Sequence, residues 1–219
     1  MISAVIFDMD GVLIDSEPLW RQSMIKVFSE FGLSVNEEQC KATKGMKIEE
    51  VIKKWNSEKK LRWDDKIESI KHHIHIDLIQ RIKLYGKPID DLMELLDFIR
   101  NKMKLKTGLA TSSDAELMHT VLEKLNLYES IDAAVHPNET IRPKPDPDVY
   151  LHCAENLNVS PDACLAIEDS FFGILSAKRA GMRVIGIPES PDETEKFLNL
   201  ADYVLKSHRD VKLLLEKIL

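Results

Sequence analysis

Ile2-Ser3-Ala4-Val5-Ile6-Phe7-Asp8-Met9-Asp10-Gly11 is the stretch on which the reading of this chain turns. Its first six residues are apolar and rich in β-formers, which suits a short strand buried on both faces. Two carboxylates and a glycine then end the run abruptly. Comparable short runs recur at Leu105 to Ala110, Ile131 to Val135, Cys164 to Ile167, Arg183 to Ile187 and Tyr203 to Leu205. Between them the apolar residues fall at helical spacing. Leu92, Leu95, Leu96 and Ile99 form one such set, Leu117, Val121, Leu122 and Leu125 another, and Val211, Leu214, Leu215 and Ile218 a third. Strands alternating with helices imply βαβ units, hence a parallel sheet covered on both faces.

One region breaks the alternation. From Ser16 to Tyr85 the sequence offers only helical material, at Leu19 to Phe31, Ile48 to Trp55 and Trp63 to Leu84. A simple crossover needs a single helix. The expected architecture is therefore an α/β, Rossmann-like parallel sheet core over residues 1–15 and 86–219, with a helical cap over 16–85 inserted after the first strand. The hinges should fall near Leu13–Ser16 and Gly86-Lys87-Pro88.

In open parallel sheets ligands gather at the carboxyl ends of the strands. That is where Asp8 and Asp10 should stand. The second run leads into Thr111-Ser112-Ser113-Asp114, where hydroxyls beside a helix start make a phosphate seat, with Ser113 or Asp114 available as the cap. Arg142-Pro143-Lys144-Pro145-Asp146-Pro147 holds a lysine between two prolines, and Asp146-Pro147 reads as an N-cap followed by proline at the first helical position. The fourth run delivers Glu168-Asp169-Ser170 just before a helix. Acids gathered near Asp8 and Asp10 would repel one another unless a cation joins them. A hard divalent ion with oxygen ligands, Mg2+, resolves that conflict.

Composition narrows the partners. The chain is 44% hydrophobic and 31% charged, enough apolar material for a real core and too balanced for disorder. A net charge of -7 argues against nucleic acid, whose backbone is gripped by excess Lys and Arg. Cys40, Cys153 and Cys164 show no metal-like spacing and read as reduced, buried thiols. With the opening apolar run interrupted by Asp8 and no apolar stretch of membrane-spanning length, the expectation is a cytoplasmic protein without membrane partners.

In this order and spacing the motifs resemble the haloacid dehalogenase-like hydrolases, in the branch with a helical cap, over essentially the whole chain. Asp8-Met9-Asp10-Gly11-Val12-Leu13-Ile14-Asp15-Ser16-Glu17 looks like the first motif of that family. Glu168-Asp169-Ser170, with Gly173, Ala177, Ala180, Gly181 and Met182, looks like the fourth. The resemblance implies an aspartyl-phosphate chemistry. Asp8 would be the nucleophile and Asp10 the general acid and base. Thr111, Ser112 and Lys144 would hold the phosphoryl oxygens. Mg2+ would be held by Asp8, the carbonyl of Asp10, Asp169 and, directly or through water, Glu168. A closing cap would read the leaving portion of a small phosphate ester, with Glu17, Trp20, Lys44, Lys47 and Ser113 as candidate readers. A cap that already covers the site suggests a monomer.

Two residues depart from the family pattern: Pro143 stands where glycine is usual before the lysine, and Pro88 is followed by Ile89 rather than glycine. Asp10 speaks against a dehalogenase. Trp20 and Ile48 stand where the phosphoglucomutases of this branch carry histidine and arginine, which favours hydrolysis. Asp15-Ser16-Glu17-Pro18-Leu19-Trp20 and Gly45-Met46-Lys47-Ile48 resemble sugar- and hexitol-phosphate phosphatases. The alternatives are phosphoglucomutase-type transfer and an idle metabolite-binding relative. The latter would be expected to lack one of the acids or the lysine.

Overall fold

The computed structural model describes the chain except Lys44, Gly45, Lys47, Ser190 and Leu219, and except the side chains of Pro191, Asp192 and Glu193. It divides into two compact units, Met1–Asp15 with Lys87–Leu219, and Ser16–Gly86.

The first unit holds β1 (Ala4–Phe7) and then, after the insertion, continues the βα alternation. The second unit contributes α1 (Glu17–Glu30), α2 (Glu37–Lys41), α3 (Ile48–Lys59) and α4 (Ile67–Tyr85). The first then resumes with α5 (Leu92–Asp97), which runs into a π-helical turn at Phe98–Lys102, β2 (Lys106–Ala110) and α6 (Ala115–Lys124). It continues through β3 (Ala133–Val135), α7 (Asp148–Asn156), β4 (Cys164–Glu168) and α8 (Phe171–Arg179). β5 (Arg183–Gly186), α9 (Pro191–Leu198), β6 (Tyr203–Val204) and α10 (His208–Ile218) complete it.

All six apolar runs read from the sequence carry strands. They form one parallel sheet in the order β3-β2-β1-β4-β5-β6. β1 is central, with Phe7 level with Leu109 on one side and Ile167 on the other. The connections run outward in opposite directions from β1 and β4, so the topological switch lies between these two strands, where such sheets bind ligands.

The alternation along the strands fixes the two faces of the sheet. Ala4 and Ile6, Cys164 and Ala166, and Val184 share a core with Tyr150, Cys153 and Ala154 of α7, Ile174 and Ala177 of α8, and Phe197 of α9. The alternate residues Val5, Phe7, Leu165 and Ile167 are equally buried, so neither face is left to solvent. The three cysteines are buried and unpaired. No helix among the described residues is long and apolar enough to cross a membrane.

The helical unit has its own core, built from Met24, Val27 and Phe28 of α1, Ile52 and Trp55 of α3, Ile70 and Ile74 of α4, and Trp63 stacked on Phe28. Two local readings change here. Trp63 precedes its helix instead of opening it. Its backbone N–H goes to Oδ1 of Asn56 at 3.0 Å and its carbonyl accepts from Lys66, a turn that delays α4 to Ile67. The short α2 was not anticipated, although Asn36 and Gln39 form a reciprocal capping box at its start.

A buried histidine marks the last helix. His208 opens α10 and is 1% exposed. Burial pushes its pKa down to about 4, against the weaker upward pull of the Val12 carbonyl and the Asp91 carboxylate. Below the ordinary histidine value of 6.5 the unfolded chain takes up a proton that the folded chain refuses. Stability contributed by this site is therefore full above that pH and is lost as pH falls toward 4, by about 3 kcal/mol. Urea midpoints for wild type and His208→Leu across this range should show a shallower acid slope in the variant.

Candidate active site

The end of β1 turns sharply. Gly11, at φ +74°, donates its N–H to the Ile14 carbonyl at 2.9 Å, and Leu13 returns to the Met9 carbonyl at 2.8 Å. This turn leaves Asp8 at the carboxyl end of the central strand, its amide bonded to the Ile167 carbonyl of β4 at 3.0 Å. Beyond the turn, Ile14 pairs with Pro88, and Asp15 and Ile89 bond to the carbonyls of Lys87 and Leu13. The unusual Pro88-Ile89 pair is thus built into a small antiparallel bridge with Ile14.

Lys144 reaches this point from the loop before α7. Its Nζ donates to Oδ1 of Asp8 at 2.6 Å and to Oε1 of Glu168 at 2.6 Å, and all three side chains are buried. Asp8, Glu168 and Asp169 bring carboxylate oxygens within 4.8 Å of one another. The lysine loop keeps its aim despite Pro143. That residue's carbonyl accepts the Asp146 N–H at 3.2 Å, and the Lys144 N–H donates to Oγ of Ser112 at 3.2 Å.

Asp146 does not cap α7. Its carboxylate pairs with Arg142 at 3.0 Å and its carbonyl accepts from Ser176, so the cap position passes to Pro147 and the helix begins at Asp148.

The loop after β2 ties the other members in. Thr111 is 1% exposed, and its Oγ1 accepts the Ser113 N–H at 3.0 Å. Ser113 Oγ donates to Oδ2 of Asp10 at 3.0 Å, while Asp114 caps α6 by accepting the Leu117 N–H at 3.0 Å. The cap left open between Ser113 and Asp114 is thus taken by Asp114.

Electrostatics follow from crowding. Burial, with Glu168 adding repulsion, pushes the Asp8 carboxyl up to about 7, only partly opposed by Lys144. For Lys144, burial pulls downward, but Asp8 and Glu168 outweigh it and hold the ammonium above the ordinary lysine range. Asp8 and Glu168 thus share one buried ammonium, with Asp169 beside them.

The donor set fits a hard cation. It consists of carboxylate oxygens, and the backbone leaves room for them. A Cβ on Gly11 would lie 2.1 Å from Oδ2 of Asp169, and one on Gly173 would lie 2.0 Å from the Glu168 carboxyl carbon and from both its oxygens. These two glycines are the space that the acids occupy.

Of the remaining sequence candidates, Glu17 and Trp20 stand on α1 in the helical unit. Glu17 pairs with Arg21 at 3.3 Å, and Trp20 packs partly buried on that unit's core. Lys44 and Lys47 lie outside the described residues. Two neighbours of the acids escaped the sequence reading. Tyr150 sits on the apolar face of α7, yet its hydroxyl donates to Oε1 of Glu168 at 2.6 Å. Ser170 caps α8 and also donates to Oε2 of Glu168 at 3.1 Å. A tyrosine at helical apolar spacing reads as core. The Ser170-x-x-Gly173 cap was the one visible signal for the serine.

Comparison with known proteins agrees with this arrangement. The sequence pattern of the haloacid dehalogenase-like hydrolases matches residues 5–187. Hexitol phosphatase B of Escherichia coli is 32% identical over 209 residues, covering 94% of this chain and 92% of that protein. A phosphorylated carbohydrates phosphatase of Thermotoga maritima is 29% identical over 219 residues, covering all of both. Among solved structures, a conserved haloacid dehalogenase-like protein of unknown function from Agrobacterium tumefaciens superposes with a TM-score of 0.83 at 26% identity, over 100% of this chain and 99% of the other. With motifs, sheet order and relatives in agreement, the chain belongs to the haloacid dehalogenase-like hydrolase family.

Proposed function

We propose that the protein is a Mg2+-dependent phosphatase that hydrolyses a small phosphorylated carbohydrate through an aspartyl-phosphate on Asp8. The observation that carries this reading is the buried Lys144 shared by Asp8 and Glu168, with Asp169 beside them at the switch point of the sheet.

An Asp8 oxygen attacks phosphorus in line while the ester P–O bond breaks, and Asp10 delivers a proton to the departing alkoxide. Asp10, now a carboxylate, then takes a proton from the water that attacks the acyl phosphate, releasing phosphate and regenerating Asp8. Ser113, already on Oδ2 of Asp10, orients that carboxyl. Thr111, Ser112 and Lys144 hold the non-bridging oxygens. The cation would be held by Asp8, the Asp10 carbonyl and Asp169, with Glu168 directly or through water. When bound, it offsets the repulsion between these acids and the phosphoryl group and polarises the phosphoryl oxygens.

The substrate class rests on the relatives, which are named for hexitol phosphates and phosphorylated carbohydrates. Glu17, Trp20, Lys44 and Lys47 remain the proposed readers of the leaving group, and the enzyme is proposed to act as a cytoplasmic monomer.

A panel of hexose, hexitol, pentose and glycolate phosphates, scored by kcat/KM with and without chelator, tests the reading. Hydrolysis should be highest on a hexose or hexitol phosphate, vanish with chelator and return with Mg2+. No turnover on the panel or on p-nitrophenyl phosphate would leave a binding protein. Isomerisation of a hexose phosphate without phosphate release would make it a mutase.

A further inference from the structure

Tyr150 is fully buried beside the acids, and its hydroxyl donates to Oε1 of Glu168 at 2.6 Å. That oxygen also receives Lys144 Nζ at 2.6 Å, and the same ammonium lies 5.0 Å from the centre of the Tyr150 ring. The residue therefore touches the lysine with its π-face and the lysine's counter-ion with its hydroxyl.

A carboxylate oxygen accepts about two hydrogen bonds along its lone pairs. Tyr150 and Lys144 use both on Oε1 of Glu168. Ser170 takes one on Oε2, at 3.1 Å. Glu168 is thereby fixed in rotation from three sides, and the missing side chain at Gly173 gives it room to stand there. The Glu168 carboxylate oxygen can only accept, so the Tyr150 hydroxyl is the donor of this bond.

We propose that Tyr150 is a positioning residue for the phosphoryl site. By occupying one lone pair of Glu168 it keeps that carboxylate from capturing Lys144 outright, and so leaves the ammonium divided between Glu168 and the Asp8 side, where the phosphoryl oxygens bind. This rests on the phosphatase reading given above. Without the hydroxyl, Oε1 of Glu168 becomes a stronger, single-donor acceptor. The lysine moves toward it, and the phosphoryl group loses part of the buried ammonium.

The test uses four full-length proteins: wild type, Tyr150→Phe, Glu168→Gln and the double variant. Inorganic phosphate affinity is measured by calorimetry in the presence of Mg2+, so no turnover is required, and urea unfolding is followed in parallel. Phe keeps the ring and its packing. Tyr150→Phe should weaken phosphate binding about 10-fold, the scale of a lost hydrogen bond to a charged group. In the Glu168→Gln background the same change should have less than about a two-fold effect, because the carboxylate charge that competes for Lys144, through which Tyr150 acts, is gone.

Equal losses in both backgrounds would mean that the Tyr150 hydroxyl acts independently of Glu168, and no loss in either would mean that it is idle. Either result overturns the proposal while leaving the phosphatase reading intact. Should Tyr150→Phe unfold, p-nitrophenyl phosphate kcat/KM of Tyr150→Met, scored against Tyr150→Met/Glu168→Gln, takes the same cycle. Coupling supports the proposal and additivity refutes it. A wild-type protein that binds no phosphate with Mg2+ present would sink the functional reading first, and this inference with it.

Discussion

Asp8→Asn is expected to fold, to keep its place at the end of the central strand, and to lower kcat by about 10^4-fold or more, the scale seen when a covalent nucleophile is removed. The amide is nearly isosteric with the carboxyl and can still accept from Lys144, which holds Asp8 at 2.6 Å. It cannot form the acyl phosphate. Folding should hold because the strand is set by Val5, Ile6 and Phe7, each fully buried, and by pairing on both sides. Circular dichroism and urea unfolding check the first half of this expectation, and p-nitrophenyl phosphate hydrolysis checks the second. Near-normal activity in the variant would rule out Asp8 as nucleophile.

The second large effect falls on the lysine. Lys144→Met removes the buried cation between Asp8 and Glu168 while preserving most of the side chain's volume. Two carboxylates then face each other without their shared donor, and breaking such a buried pair on one side costs about 3 kcal/mol or more. The loss should be largest in the metal-free protein. Added Mg2+ should recover part of it by supplying charge to the same acids. Catalysis should not recover. Losing a charge aimed at the phosphoryl oxygens lowers kcat/KM by about 10^3-fold. Thermal unfolding with and without Mg2+, beside steady-state kinetics, separates these effects. A metal-free Lys144→Met as stable as wild type would show that the crowding of acids is tolerated without its lysine.

The sheet was readable because buried parallel strands leave little choice of residue. Short runs such as Ala4–Phe7 and Cys164 to Ile167 are apolar throughout. Strand order was not readable, since nothing in the sequence of β4 says that it pairs with β1. Asp8, Asp10, Lys144, Glu168 and Asp169 stood out because acids and a lysine at the ends of apolar runs are conspicuous.

What stayed hidden depends on direction. Tyr150 has the spacing of a core residue, and only its orientation reveals the hydroxyl on Glu168. α7 starts one residue later than the Asp146-Pro147 pair predicts because Asp146, chemically a good cap, finds Arg142 instead. Trp63 was read into a helix that a hydrogen bond from its own N–H to Asn56 delays. Competing partners, invisible in one dimension, decide such details.

The central position of β1 has a consequence for durability. A sheet yields from its margins, where β3 and β6 have a neighbour on one side only, and such edges open at little cost. Separating β1 requires breaking two ladders and both apolar layers together. The segment that ends in Asp8, the proposed nucleophile, is therefore expected to open only together with both flanking strands, and to outlast the fraying of the sheet's margins.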